Sequence, residues 1–243
     1  MGRTAAVDRP PHRRTTTDRA TSGTAASSET APGTTAAVPL DLLATCIDSL
    51  WAEGADEESR ESALSAVGLL SRALRVLDGN PGDASAHRDL ARGRSLASSA
   101  SASAGSGLHR TICLMLEDML DMPRAETSAA VLPHVLAVNA PSLPDLDARL
   151  GRLLNGGRDH AAGAVGAIQD LYRDVDAPRA LVDHGFLGAA IPGAVRRTLL
   201  AAPPSNPAPL TEEDLTWLFT DALNGDFDGR EERAAVRAAA GLA

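Results

Sequence analysis

The chain has 243 residues, 32 acids against 23 basic side chains, a net charge of −9 and no lysine, so every fixed cation is an arginine. That balance excludes a nucleic-acid binder resting on clustered cations, a lysine Schiff base, and a Walker-type phosphate loop with its Gly-Lys-Ser/Thr. Hydrophobic residues make up 44 % but aromatics only 2 %, so the interior must be built from Leu, Val and Ala, a mixture that favours helices.

Residues 1–37 are Thr, Ala, Ser and Arg with few branched aliphatics, a composition that predicts a disordered tail. Arg13-Arg14 has no apolar run behind it and so does not read as a twin-arginine export signal. No stretch approaches the ~20 apolar residues of a membrane helix, and an intracellular, cytoplasmic protein is expected. Cys46 and Cys113 both sit in apolar helical context and read as buried free thiols. The Arg-only, Ala-rich usage has the look of a high-GC bacterial genome.

Order is expected from Pro39, where Leu40, Leu42, Leu43, Ile47, Leu50 and Trp51 form an apolar helical stripe. Asp56, Glu57 and Glu58 open a second helix with acids at its positive end. Leu64, Val67, Leu70, Leu74 and Leu77 give it an apolar face, and residues 79–82 (Gly-Asn-Pro-Gly) stop it. Residues 95–107, almost all Ser, Ala and Gly, read from composition as a flexible linker. Three helices are then predicted near 107–120, 127–138 and 143–154, the last with Ser142 as cap and Pro144 near its start. Another covers 159–174, a short helical turn covers 179–184, and 187–201 is helical with a kink or break at Pro192. Residues 203–209 form a rigid Pro-rich crossing. Thr211, with Glu212, Glu213 and Asp214, caps a last strong helix to about Leu223, and 229–241 read as a loose helical tail. No alternating pattern of a strand is present, so the fold class is all-α. The expected division is a tail over 1–37, a helical domain over 38–225 and a C-terminal tail over 226–243.

Two stretches carry a family likeness. Gly107-Leu108-His109-Arg110-Thr111-Ile112-Cys113-Leu114 and Pro123-Arg124-Ala125-Glu126-Thr127-Ser128-Ala129-Ala130-Val131-Leu132-Pro133-His134 resemble the C-terminal helical domain of the iron-containing alcohol dehydrogenase family, most closely its maleylacetate reductase branch. There the stretches read roughly Gly-Leu-His-His-Lys-Leu-Cys-His and Pro-His-Ala-Glu-Thr-His-Ala-Val-Val-Leu-Pro-His. The resemblance covers roughly 39–225 and implies a helical bundle of the dehydroquinate synthase-like kind. It also implies that 95–107 is a small-residue helix in the domain core rather than a linker. It places the family's metal ligands at Asp41, Thr45, Arg110 and Arg124, where only the first keeps a ligating side chain. Further cleft histidines of the family fall on Leu114 and Ser128, and a family Gly pair falls on Glu117 and Asp118. Glu126 and His134 match the family; the default roles are a helix-start cap for Glu126 and a structural residue for His134.

Guanidinium stays protonated and cannot ligate a metal, so the resemblance predicts a site without one. No Gly-rich strand-to-helix turn for a dinucleotide precedes the helical region, so no nicotinamide cofactor is expected on this chain alone. Arg110 and Arg124 would instead clamp an anionic small molecule, with Glu126 a further candidate at that site. His109 would move a proton, with Asp41 or Thr45 orienting it, in a redox-neutral step such as cyclisation, isomerisation or elimination. The plain alternative for the arginines is pairing with local acids such as Glu126, Glu117 or Asp118, and for His109 a structural hydrogen bond. Two other functions stay open: a non-catalytic interaction subunit that forms a homo-oligomer or covers a partner protein, and the helical half of a split NAD(P)H-dependent reductase. Asn224, Asp226, Asp228 and Gly229 begin like a calcium loop, but Ala235 stands where its closing Glu is needed.

Overall fold

The computed structural model describes residues 1–2 and 34–227, and all regular structure among them is helical. Helix α1, Thr34–Ser49, begins five residues ahead of the expected start, with Pro39 inside it. The last four residues of the expected 1–37 tail are therefore the first turn of α1; the rest of that tail, apart from residues 1–2, and the predicted helix at 229–241 lie outside the described residues.

Helix α2, Glu57–Gly79, starts in a capping box: the Asp56 carboxylate accepts the Ser59 N–H at 2.8 Å, and the Ser59 hydroxyl accepts the Asp56 N–H at 3.0 Å. Helix α3, Ala84–Ala104, is capped by Asp83, which accepts the N–H groups of Ser85 and Ala86. It runs through the segment that composition alone assigns to a linker. Its small residues allow a close approach to α2: Ala97, Ala100 and Ala104 are buried, and a Cβ at Gly93 would lie 2.8 Å from the Leu70 side chain. The family likeness, not the composition, anticipates this helix.

Helices α4, Leu108–Leu120, and α5, Arg124–Asn139, follow. From Thr127 to Leu136 every residue of α5 is buried, which makes it the central rod against which α1, α4, α7 and α9 lie. Pro133 within α5 has no N–H to return to the carbonyl of Ala129 one turn back. The hydroxyl of Tyr172 donates to that carbonyl at 2.6 Å and removes the deficit.

Helix α6, Pro144–Leu154, starts with its proline in the first turn. Its cap position is Leu143, not Ser142, which is taken up in a 3-10 turn over Ala140–Ser142. Helix α7, Gly163–Asp174, and a short turn at Leu181–His184 come next. Helix α8, Ile191–Ala201, carries Pro192 in its first turn, where the missing N–H has no partner to lose, so the proline starts the helix and does not kink it. The Pro-rich crossing is held to the end of α5 by reciprocal amide bonds between Asn139 and Asn206, at 3.0 and 2.8 Å. Thr211 and Asp214 form the capping box of α9, Glu212–Asn224, which ends at Gly225 with φ +67°.

Candidate functional site

A cleft of about 240 Å³ opens between the C-terminal half of α1, the end of α3 and its following turn, and the exposed side of α4. Asp41, Thr45, His109, Arg110 and Arg124 all line it. Five of the six residues singled out in the sequence thus converge, although they come from three separate helices. Glu126 does not: it sits in the first turn of α5, outside the lining.

Asp48 organises the cleft, and sequence reasoning passed over it. It is one turn beyond Thr45 on α1 and only 3 % exposed. Its carboxylate accepts the N–H groups of Gly107 at 2.9 Å, His109 at 3.0 Å and Arg110 at 3.2 Å, and the Trp51 indole N–H at 3.3 Å. Three orphan donors at the start of α4 are thereby satisfied by an acid from another helix, since Gly107 at the cap has no side chain to offer. A Cβ at Gly107 would run into that carboxylate, so the glycine is what lets Asp48 in. The signal was the spacing Asp41, Thr45, Asp48, which sets three polar residues along one face of an otherwise apolar helix.

The arginines differ in their partners. Arg124 Nε lies 3.6 Å from Asp41 Oδ2, while Arg110 makes no ion pair among the described residues. Neither meets Glu126, Glu117 or Asp118; Asp118 pairs instead with Arg197 at 3.2 Å. The Thr45 hydroxyl donates to the Asp41 carbonyl of its own helix at 2.9 Å.

His109 is 4 % exposed. Its Nε2 lies 2.9 Å from the Ser128 carbonyl oxygen, which only accepts, so Nε2 is the donor of that bond. The Cys113 sulfur is 3.7 Å from the same Nε2. Burial first, then the carboxylates of Asp48, Asp41 and Glu117, push the Cys113 thiol well above its ordinary range, against a smaller pull from Arg124. Cys46, also buried, is pushed up to about 12. Neither is a nucleophile at neutral pH.

The donor set does not suit a metal ion. At the positions the resemblance gives to ligands stand one carboxylate, one hydroxyl already donating to backbone, and two guanidiniums, one of which faces that carboxylate. No group of three or more His, Cys, Asp or Glu side chains converges to hold a metal among the described residues. No described helix is long and apolar enough to cross a membrane.

Comparison with known proteins places this architecture. The C-terminal domain of the Fe-containing alcohol dehydrogenase family matches residues 35–223. A maleylacetate reductase of Sphingobium indicum is 34 % identical over 188 residues, which is 76 % of this chain and 51 % of the relative. Another from Cupriavidus pinatubonensis is 31 % identical over 186 residues, covering 76 % of this chain and 51 % of the relative. Among solved structures, an iron-containing alcohol dehydrogenase from Corynebacterium glutamicum superposes with a TM-score of 0.74 at 38 % identity, over 79 % of this chain and 52 % of that one. Maleylacetate reductase from Rhizobium sp. strain MTP-10005 superposes with a TM-score of 0.72 at 25 % identity, over 80 % and 53 %. The chain spans about half the length of the curated relatives it matches. On these grounds it belongs to the Fe-containing alcohol dehydrogenase family, through the all-helical C-terminal domain of that family.

Proposed function

We propose that the cleft is a metal-independent binding site for an anionic small molecule in a bacterial cytoplasmic protein, and that it supports a redox-neutral step on that molecule. The observation that carries this reading is the Arg124–Asp41 pair beside an Arg110 that has no ion-pair partner among the described residues. One guanidinium stands against the carboxylate that the resemblance gives to a metal, and the other stays available to a guest. His109 is the residue that would move a proton at the site, with its ring fixed through Nε2 by the Ser128 carbonyl. Cyclisation, isomerisation and elimination each fit, because a bound anion and one base meet their needs without a hydride donor.

Two measurements test this. Protein from cells grown with added iron and zinc should carry far less than one metal per chain by elemental analysis. Arg110→Ala and Arg124→Ala should each lose affinity for small carboxylates while the helical circular dichroism stays unchanged. Stoichiometric tightly held metal, or two variants that bind as well as the parent, would end the proposal.

Two other readings each have an observation behind them. Exposed Leu200 (89 %), Leu187 and Trp217 favour an interaction subunit, to be checked by light scattering for a homo-oligomer and by co-purification of a partner. The 34 % identity to a maleylacetate reductase favours the helical half of a reductase, to be checked by nicotinamide oxidation with a matching cofactor-binding chain.

A further inference from the structure

One wall of the cleft is a single face of α4. Arg110, Leu114 and Glu117 all line it, at positions i, i+4 and i+7, so the three side chains follow one another along two helical turns. At 1.5 Å per residue the first and last backbone positions are roughly 10 Å apart. The order along the wall is a cation, an apolar side chain that is 43 % exposed, and an acid.

The two ends differ from the other charges of the cleft in having no ion-pair partner among the described residues. Asp41 has Arg124, and Asp48 has four N–H donors. Glu117 has no such partner among the described residues, where its Oε1 is buried and accepts no hydrogen bond. A glutamate side chain without a partner has acceptor capacity to spare, so a guest that brings a donor to this end of the wall gains a bond that the free protein lacks. At the other end Arg110 offers several N–H donors and no acceptor, and it asks for the opposite kind of group.

Resting on the anion-site reading above, we propose that the natural ligand is amphoteric: it sets a carboxylate or phosphate against Arg110, lays a short apolar chain over Leu114, and presents a hydrogen-bond donor, an ammonium or a hydroxyl, to Glu117. A plain anion without that donor fills only half of the site.

Three probes with one carboxylate and one chain length separate the two claims: hexanoate, 6-hydroxyhexanoate and 6-aminohexanoate, titrated against the full chain by NMR. With the parent protein, the amino and hydroxy acids bind more tightly than hexanoate, the amino acid by about tenfold or more, the range expected of a charge-assisted bond. Glu117→Gln, which keeps the shape of the side chain, removes most of the advantage of the amino acid and leaves much of that of the hydroxy acid. Glu117→Ala brings all three probes to the affinity of hexanoate. Arg110→Ala weakens all three alike. If the parent binds the three probes equally and Arg110→Ala still weakens them, the amphoteric ligand is wrong and the anion site stands. If the probes bind and Arg110→Ala changes none of them, the amphoteric ligand is wrong and Arg124→Ala decides the anion site; if none binds at all, both claims fall.

Discussion

The guanidinium of Arg124 faces the carboxylate of Asp41 at 3.6 Å across the join of α5 and α1. The pair is partly solvated, with the Arg124 side chain 49 % exposed. Partly solvated pairs contribute little to folding, so Arg124→Ala should shift the urea unfolding free energy by less than about 1 kcal/mol. Its effect on carboxylate affinity should be larger, on the order of tenfold. A large loss of stability with unchanged binding would make Arg124 a structural residue only.

Asp48 should behave in the opposite way. Asp48→Ala strips acceptors from three backbone N–H groups and an indole at a buried helix start. A loss of about 3 kcal/mol is expected, and Asp48→Asn, which keeps one acceptor oxygen, should cost less. Gly107→Ala should also destabilise, because its Cβ would meet the same carboxylate. Chemical denaturation of the three variants checks the order.

Tyr172→Phe leaves the Ala129 carbonyl without a donor, since Pro133 cannot supply one. We expect a loss of about 1–3 kcal/mol. The double variant Tyr172→Phe with Pro133→Ala should recover part of it, because the new N–H can close the helix bond. Failure of that recovery would mean that the tyrosine is held by packing alone.

Stability should decline in alkali. Cys46 is raised to about 12 in the fold by burial, so between its ordinary 9.0 and that value the unfolded chain has released a proton that the folded chain still holds. Fewer protons on the unfolded state means that stability falls as pH rises, by up to ~1.4 kcal/mol per pH unit for each such group. Cys113 and Tyr172, also raised chiefly by burial, add to the slope, the tyrosine from its ordinary 10.0 upward. Melting temperatures should begin to drop near the ordinary thiol value of 9.0 and fall more steeply above it, and the drop should shrink in Cys46→Ala. At neutral pH both thiols should resist iodoacetamide until the chain unfolds.

The helices were legible wherever a local signal set them. Thr211 announces its cap, the acids from Asp56 mark the start of α2 although Asp56 itself is the cap and not part of the first turn, and Leu108–Leu120 has its apolar face at helical spacing. Composition failed over 95–107, because the value of Ala and Gly in α3 lies in how closely it packs on α2, which no local window records. Ser142 misled for a related reason: a good capping residue was spent in the preceding turn. In the site, Asp41, Thr45, His109, Arg110, Arg124 and Glu126 could all be grouped through the family likeness, yet Glu126, in the first turn of α5, lies outside the lining of the cleft. Asp48 stayed hidden because its partners are backbone groups 59 to 62 residues away. Within its own helix the polar line Asp41, Thr45, Asp48 marks the face, and only Trp51 among its four partners is local.

That same acid decides how the cleft can attract. With the amides of Gly107, His109 and Arg110 already engaged by Asp48, the start of α4 has little polarity left to lend a visitor, and in the proposed site attraction falls to the two guanidiniums. Guanidinium holds its proton throughout the titration range of proteins. Capture of an anion should therefore persist undiminished into mild alkali, yet fade steeply as ionic strength rises.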